Sequence, residues 1–153
     1  MKRKLIVILF LGLFAKAEHI EIDSESFFAD EKNQLVEFVG NVTVTKGKDE
    51  LNADKIVVYS NNSGQPFKYV ASGNVYIKVF LNEKHYNAGG NTLTYETKEQ
   101  KYTLEGNAFL IETDTDRKVY GETIEANQIN GTYSVKGKDS EPAKFVFQVE
   151  DTK

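Results

Sequence analysis

Acid–base, metal and nucleophilic chemistry draw on histidines, cysteines and convergent carboxylates, and this chain of 153 residues supplies few of them. It has no cysteine and two histidines, His19 and His85. His19 follows an apolar leader and His85 closes the polar stretch NEKH; neither sits in a pattern that brings a nucleophile or further ligands beside it. Asp114-Thr115-Asp116 opens like a calcium loop but lacks the glycine and distal glutamate such a loop needs. No G-x-x-x-x-G-K-[ST] loop is present to cradle nucleotide phosphates. Asp54 and Glu122 read as outward charges that limit edge aggregation or meet a partner. The expectation is a protein that is not an enzyme, with no cofactor and no resident metal.

What the chain has in quantity is patterned apolar surface, so its chemistry is the shielding of apolar groups from water. The first segment stands apart from that pattern. Lys2, Arg3 and Lys4 precede an apolar run from Leu5 to Phe14, and Ala15-Lys16-Ala17 forms a small-x-small cleavage signal. That is the build of a secretory signal peptide, and ten apolar residues fall short of the ~20 of a membrane span. Residues 1–17 are therefore expected to be a leader and 18–153 one exported domain; a retained anchor is the alternative. Loss of Lys2, Arg3, Lys4 and Lys16 with the leader takes the formal net charge from −4 to −8. Such a balance argues against binding a phosphate backbone, which needs clustered positive charge.

The rest of the chain alternates with period two, the signature of half-buried strands. Val36, Phe38, Val42 and Val44 share one side in the first block. Tyr69, Ala71, Val75 and Ile77 do so in the second, and Tyr102, Leu104, Ala108 and Leu110 in the third. Polar turn signals separate the runs at 46–50, 60–66, 82–85, 97–101, 114–117 and 138–142, and both prolines, Pro66 and Pro142, lie within them. A unit repeats: Gly-Asn occurs at 40–41, 73–74 and 106–107, each 33 residues after the last. Each copy continues, after a turn, into a second strand: LNADKIVVY, YNAGGNTLTY and VYGETIEAN, in which Ala53, Ala88 and Gly121 align. Stacking such units builds one continuous sheet core.

Gly-Asn is also a hairpin turn signal. A turn there would mix polar and apolar residues on both faces, whereas a straight strand keeps the apolar ones together, so the strand is expected to run through. On that reading the three glycines face inward and serve geometry: a bend, a bulge, or room for Tyr69 or Tyr102 to lie across.

The ordered set VEFVGNVTVTKG, LNADKIVVY, YTLEGNAFL and VYGETI, behind an export leader in a cysteine-free chain, resembles the OstA-type domain of the LptA family of lipopolysaccharide-transport proteins. The likeness runs from about Ile20 to Gly137. It implies an all-β fold, a single bent β-jelly roll of antiparallel strand units that is open at its ends and located in the periplasm. It also implies a lipid cargo, the acyl chains of lipopolysaccharide, and head-to-tail assembly with further copies of itself. Docking to inner-membrane (LptC-like) and outer-membrane (LptD-like) components follows from the same resemblance. The second unit departs from the pattern, with NAGGN in place of NADKI, so the wall and a contact charge there are expected to differ.

Exposing one acyl chain of a dozen carbons to water costs roughly 10 kcal/mol at ~0.8 kcal/mol per methylene, which only a long apolar lining offsets. The lining expected here is Val36, Phe38, Val42 and Val44, then Leu51, Ala53 and Ile56, then Tyr69, Val75 and Ile77, then Tyr102, Leu104, Ala108 and Leu110. The edge strands expected to meet a partner are HIEID, with Ile20 and Ile22, and AKFVFQVE, with Phe145, Phe147 and Val149. Phe109, Ile111, Val146, Tyr76 and Phe80 fall on the opposite parity, which calls for a second sheet over them or an interface. Three functions fit: a lipid-carrying bridge, a membrane-anchored adaptor of the same pathway, and a structural β-repeat that binds no lipid.

Overall fold

The computed structural model describes residues 19–150 apart from Asn82. The expected leader, residues 1–17, lies outside the described residues. Ten strands follow in chain order: β1 (Ile20–Asp23), β2 (Ser26–Asp30), β3 (Leu35–Lys46), β4 (Asp49–Ser60), β5 (Pro66–Leu81), β6 (Lys84–Glu96), β7 (Lys101–Glu112), β8 (Arg117–Asn127), β9 (Thr132–Lys136) and β10 (Lys144–Val146). All pairings are antiparallel, and β3 to β8 form a meander in which each strand pairs with the next. The turns of the β3–β8 meander fall in the expected polar stretches, apart from the β7–β8 turn beginning one residue early at Thr113, whereas the turns at 31–34 and 128–131 were not expected. The sheet is not closed into a barrel.

Each end of the meander is finished by two short strands in place of one long one. β1 pairs with the second half of β3 and β2 with its first half. At the other end β9 pairs with the second half of β8 and β10 with its first. The strand SFFAD was not expected, because Phe27 and Phe28 are adjacent and break the alternation. The closing strand is shorter than expected: of Phe145, Phe147 and Val149, only Phe145 lies in β10, and residues 147–150 lie in no strand.

The break between the short strands continues across the sheet as a line of bulges. Register shifts between Val39 and Val42, between Ser72 and Val75, and between Glu105 and Ala108. At each shift Gly-Asn sets two residues against one on the neighbouring strands. Gly40 and Asn41 have φ of 91° and 46°, Gly73 and Asn74 81° and 50°, and Gly106 and Asn107 83° and 49°. Two consecutive residues in the left-handed region suit glycine and asparagine and almost nothing else. The strand runs through, as expected, but the glycines do not face the apolar side. A Cβ on Gly40, Gly73 or Gly106 would strike the side chain of Glu25, Asp54 or Asn91 in turn. The atoms nearest them belong to no tyrosine ring; the glycines make room for a polar side chain, from the bend before β2 at Gly40 and from the preceding strand at Gly73 and Gly106.

Bulges bend strands and raise their twist, so a line of them folds the sheet on itself. The fold is visible in burial: Val36, Phe38, Ile56 and Val58 on one side of the line and Val42, Val44, Leu51 and Ala53 on the other are all at most 8% exposed and belong to one cluster. A sheet face open to water could not reach that figure. The two halves cover each other.

Candidate lipid-binding face and its edges

Both halves aim their inward side chains at the space between them. Of the fourteen residues expected on the lining, Val36, Phe38, Val42, Val44, Leu51, Ala53, Ile56, Tyr69, Val75, Leu104 and Ala108 are buried in the shared cluster, and Ile77, Tyr102 and Leu110 pack half-buried against it. The structure thus brings all fourteen together. It adds Val58, Ala71, Ala88, Leu93, Tyr95 and Ile124. In the even-numbered long strands a single residue faces each Gly-Asn pair, so inward positions skip from Ala53 to Ile56 and from Gly121 to Ile124. That skip hides half of each strand from a strict period-two reading.

The same register corrects the alignment of small residues. Val42 faces Ala53, Val75 faces Gly90 and Ala108 faces Gly121. Gly90, and not Ala88, is therefore the equivalent of Ala53 and Gly121. The bulge partners are then Glu25, Asp54, Asn91 and Glu122, and the expected change of contact charge in the second unit is the neutral Asn91. Asn41 donates to Glu25 at 2.6 Å and Asn74 to Asp54 at 3.2 Å. Glu122 Oε1 lies 3.4 Å from Lys138 Nζ without hydrogen-bond geometry.

Tyr69, Tyr95 and Tyr102 sit opposite one another on β5, β6 and β7, their rings 6.0 Å and 4.3 Å apart. Burial, and then the neighbouring tyrosine hydroxyls, push the Tyr102 phenol well above its usual value of 10.0. It stays a neutral polar group at the border of an apolar face.

The middle of the face is closed by its own side chains, and its ends are open. Phe27 on β2 packs its ring 5.3 Å from Phe38 yet is half exposed. At the other end Tyr133 is 74% and Phe145 62% exposed, although both continue inward rows, opposite Ala126 and Val119. Ile20 and Ile22 are half-buried against the cluster, while Phe147 and Val149 are exposed. The outer edges of β1 and β2, and of β9 and β10, pair with no other strand among the described residues.

Among the described residues no second sheet covers the outward aromatics. Tyr76 and Phe109 flank Gly89 on the strand between them, with ring centroids 6.1 Å apart, and Phe109 lies against the Gly89 backbone. Phe80 stacks on His85 at 4.6 Å. His85 also has a partner that the sequence does not reveal: its backbone N–H donates to Asp114 at 2.7 Å and its Nδ1 lies 3.2 Å from both carboxylate oxygens. The backbone N–H, then the ring, hold the Asp114 carboxyl below the usual carboxylate range. This pair clips the β5–β6 and β7–β8 turns together. No group of three metal-binding side chains occurs among the described residues.

A doubled antiparallel sheet with an apolar interior and two unpaired ends defines a β-jelly roll. The chain belongs to the LptA/(LptD N-terminal domain) LPS transport protein family, whose model matches residues 21–132. It is 34% identical over 104 residues to the lipopolysaccharide export system protein LptA of Escherichia coli K12, covering 65% of this chain and 55% of that protein; the Shigella flexneri LptA matches to the same extent. The chain thus spans about half the length of the curated relatives it matches. Its fold matches the crystal structure of LptH, the LptA-homologous periplasmic component of the lipopolysaccharide transport device of Pseudomonas aeruginosa. There the TM-score is 0.71 at 17% identity, over 86% of this chain and 96% of the other.

Proposed function

We propose that this protein is a periplasmic carrier in lipopolysaccharide transport. It holds acyl chains against the inner face of the folded sheet and joins further copies, and its membrane partners, through its edge strands. The observation that carries this reading is the inward face itself, one apolar cluster contributed by every long strand and open at both ends of the sheet. Burial at ~25 cal/mol per Å² is enough to hold an acyl chain there, and no side chain on that face is suited to breaking a bond. Entry begins at an exposed end, at Phe27 or at Tyr133 and Phe145, and the two halves separate to admit the chain. The free edges supply unpaired backbone groups for strand addition.

A photo-crosslinking amino acid at Phe38, Ile77 or Leu104 tests the lining. Capture of lipopolysaccharide from these positions, and not from the outward Lys55 or Glu105, supports it. Labelling confined to outward positions refutes it, and native mass spectrometry with lipopolysaccharide then separates a structural β-repeat from a carrier. The basic and apolar leader supports a second reading, an anchored adaptor of the same pathway. The mass of the exported protein decides between them, because loss of residues 1–17 leaves no anchor.

A further inference from the structure

The outer surface of the fold line carries a feature that acyl-chain binding does not use. A cavity of about 220 Å³ lies where β3, β4 and β5 cross the line, lined by the polar residues Asn41, Thr43, Asn52, Asp54 and Asn74 together with Val42 and Ala53. Each of these groups is held in place by another. Thr43 Oγ1 donates to Asn52 Oδ1 at 2.9 Å, Asn74 Nδ2 to Asp54 Oδ2 at 3.2 Å, and Asn41 Nδ2 to Glu25 Oε2 at 2.6 Å. The bulge fixes the backbone beneath them with two left-handed residues on each Gly-Asn strand. One end of each amide and of the Asp54 carboxylate is thereby engaged. Asn52 Nδ2, Asn74 Oδ1, Asn41 Oδ1 and Asp54 Oδ1 have no hydrogen bond among the described residues. The cavity thus presents a rigid, mixed set of free donors and acceptors.

A second observation lies beside it. Tyr76 is the cross-strand partner of Asn52 and stands two residues beyond Asn74 on its own strand. From Tyr76 an aromatic row continues on the same face through Phe109, across Gly89, to Tyr120 on β8. Gly89 has no side chain to lift the rings from the sheet, and Tyr120 is 37% exposed.

Clustered amides and a carboxylate suit a ligand whose groups both donate and accept, and flat rings suit one that also has an apolar face. Hydroxyls on a pyranose ring combine both properties. Asp54 and Glu25 repel phosphate and carboxylate groups, which restricts the ligand to an uncharged sugar. We propose that this cavity and the adjoining aromatic row bind a neutral pyranose unit of an oligosaccharide, seated among Asn41, Asn52, Asp54 and Asn74 and stacked on Tyr76. The polar side chains of the site are on the opposite face of the sheet from the acyl-chain lining, with Val42 and Ala53 bordering both, and probes without an acyl chain test the site independently of that lining.

The test is an NMR titration of the isotope-labelled exported chain with probes that carry no acyl chain. These are the core oligosaccharide released from lipopolysaccharide by mild acid, before and after dephosphorylation, and chitotetraose. The expected result is movement of the Asn52 and Asn74 side-chain amide signals and of the Tyr76 ring, with a dissociation constant on the order of millimolar for one small neutral ligand. Asn52→Ala weakens binding about threefold to tenfold, the loss of one hydrogen bond to the ligand, while the lost Thr43 contact lowers the melting temperature by only a few degrees. Tyr76→Leu keeps an apolar cover beside Gly89 but removes the flat ring, and weakens binding as well. Tighter binding of the dephosphorylated core oligosaccharide identifies the sugar as the cargo's own; tighter binding of chitotetraose identifies a cell-wall glycan. No shift with any probe, an affinity that neither variant changes, or preference for the phosphorylated form overturns the proposal.

Discussion

The middle of the sheet and its C-terminal end carry the same inward pattern and meet opposite fates. Across β3 to β7 the inward side chains have strands on both flanks and the other half of the sheet above them; Val58 is fully buried. On β9 and β10 the pattern persists in Tyr133, Val135 and Phe145, yet Tyr133 and Phe145 are mostly exposed. Strand sequence decides which face a residue takes, and neighbours on both sides decide whether that face is dry. The C-terminal end therefore has the composition of a core without its cover, the state expected of a surface that another chain or a lipid completes.

The largest test of this contrast is truncation in the two places. Ile56→Ala, in the closed middle, should lower unfolding free energy by about 2–5 kcal/mol, while Phe145→Ala should change it by no more than about 0.5 kcal/mol, both read from urea midpoints. Equal losses would mean the end is as well packed as the middle. Glycine gives a finer version. Gly73→Ala places a Cβ in the left-handed region and against Asp54, and should cost about 1–3 kcal/mol. Gly131, in the β8–β9 turn, has a φ of 69° but open space around it, so Gly131→Ala should cost only the backbone part, about 1 kcal/mol.

Alkaline pH gives a smaller effect. The Tyr102 phenol is raised in the folded state, so the unfolded chain loses that proton first. Its contribution is complete below the ordinary tyrosine value of 10.0 and is lost as pH rises above it. Tyr102→Phe should flatten the fall in stability above pH 10, followed by thermal melts; an unchanged slope would place Tyr102 in contact with water. The smallest expected change in stability accompanies a change in assembly. Phe145→Ala should leave the monomer intact and weaken self-association in a sedimentation concentration series, whereas Val70→Ala, on the outward face of an interior strand, should not.

Much of this architecture was legible in the sequence because alternation reports a physical constraint, one wet face and one dry. That constraint marked the long strands, most of the turns and the fourteen residues that meet in or against the apolar cluster. It failed where the backbone itself changed count. The one-for-two mismatch at each Gly-Asn reversed the parity of β4, β6 and β8, which concealed Val58, Leu93, Tyr95 and Ile124 and misaligned Ala88 with Ala53. It also placed the glycines on the wrong face, because φ is not written in a residue's polarity. β2 escaped notice as a short edge strand with adjacent phenylalanines, and the His85–Asp114 pair because 29 residues separate its members. The candidate sugar site depends on that same hidden line, where side chains from three strands converge only after the bulges form.

Each terminal edge is split at the same level as the interior strands are bulged, so both ends share one V-shaped outline. A second copy placed edge to edge would carry the crease onward without a step. Eight strands lie along the path from β1 to β10, and neighbouring strands are ~4.8 Å apart, so every added molecule would lengthen the conduit by roughly 38 Å. An assembly built this way would grow only by whole-number increments of one subunit.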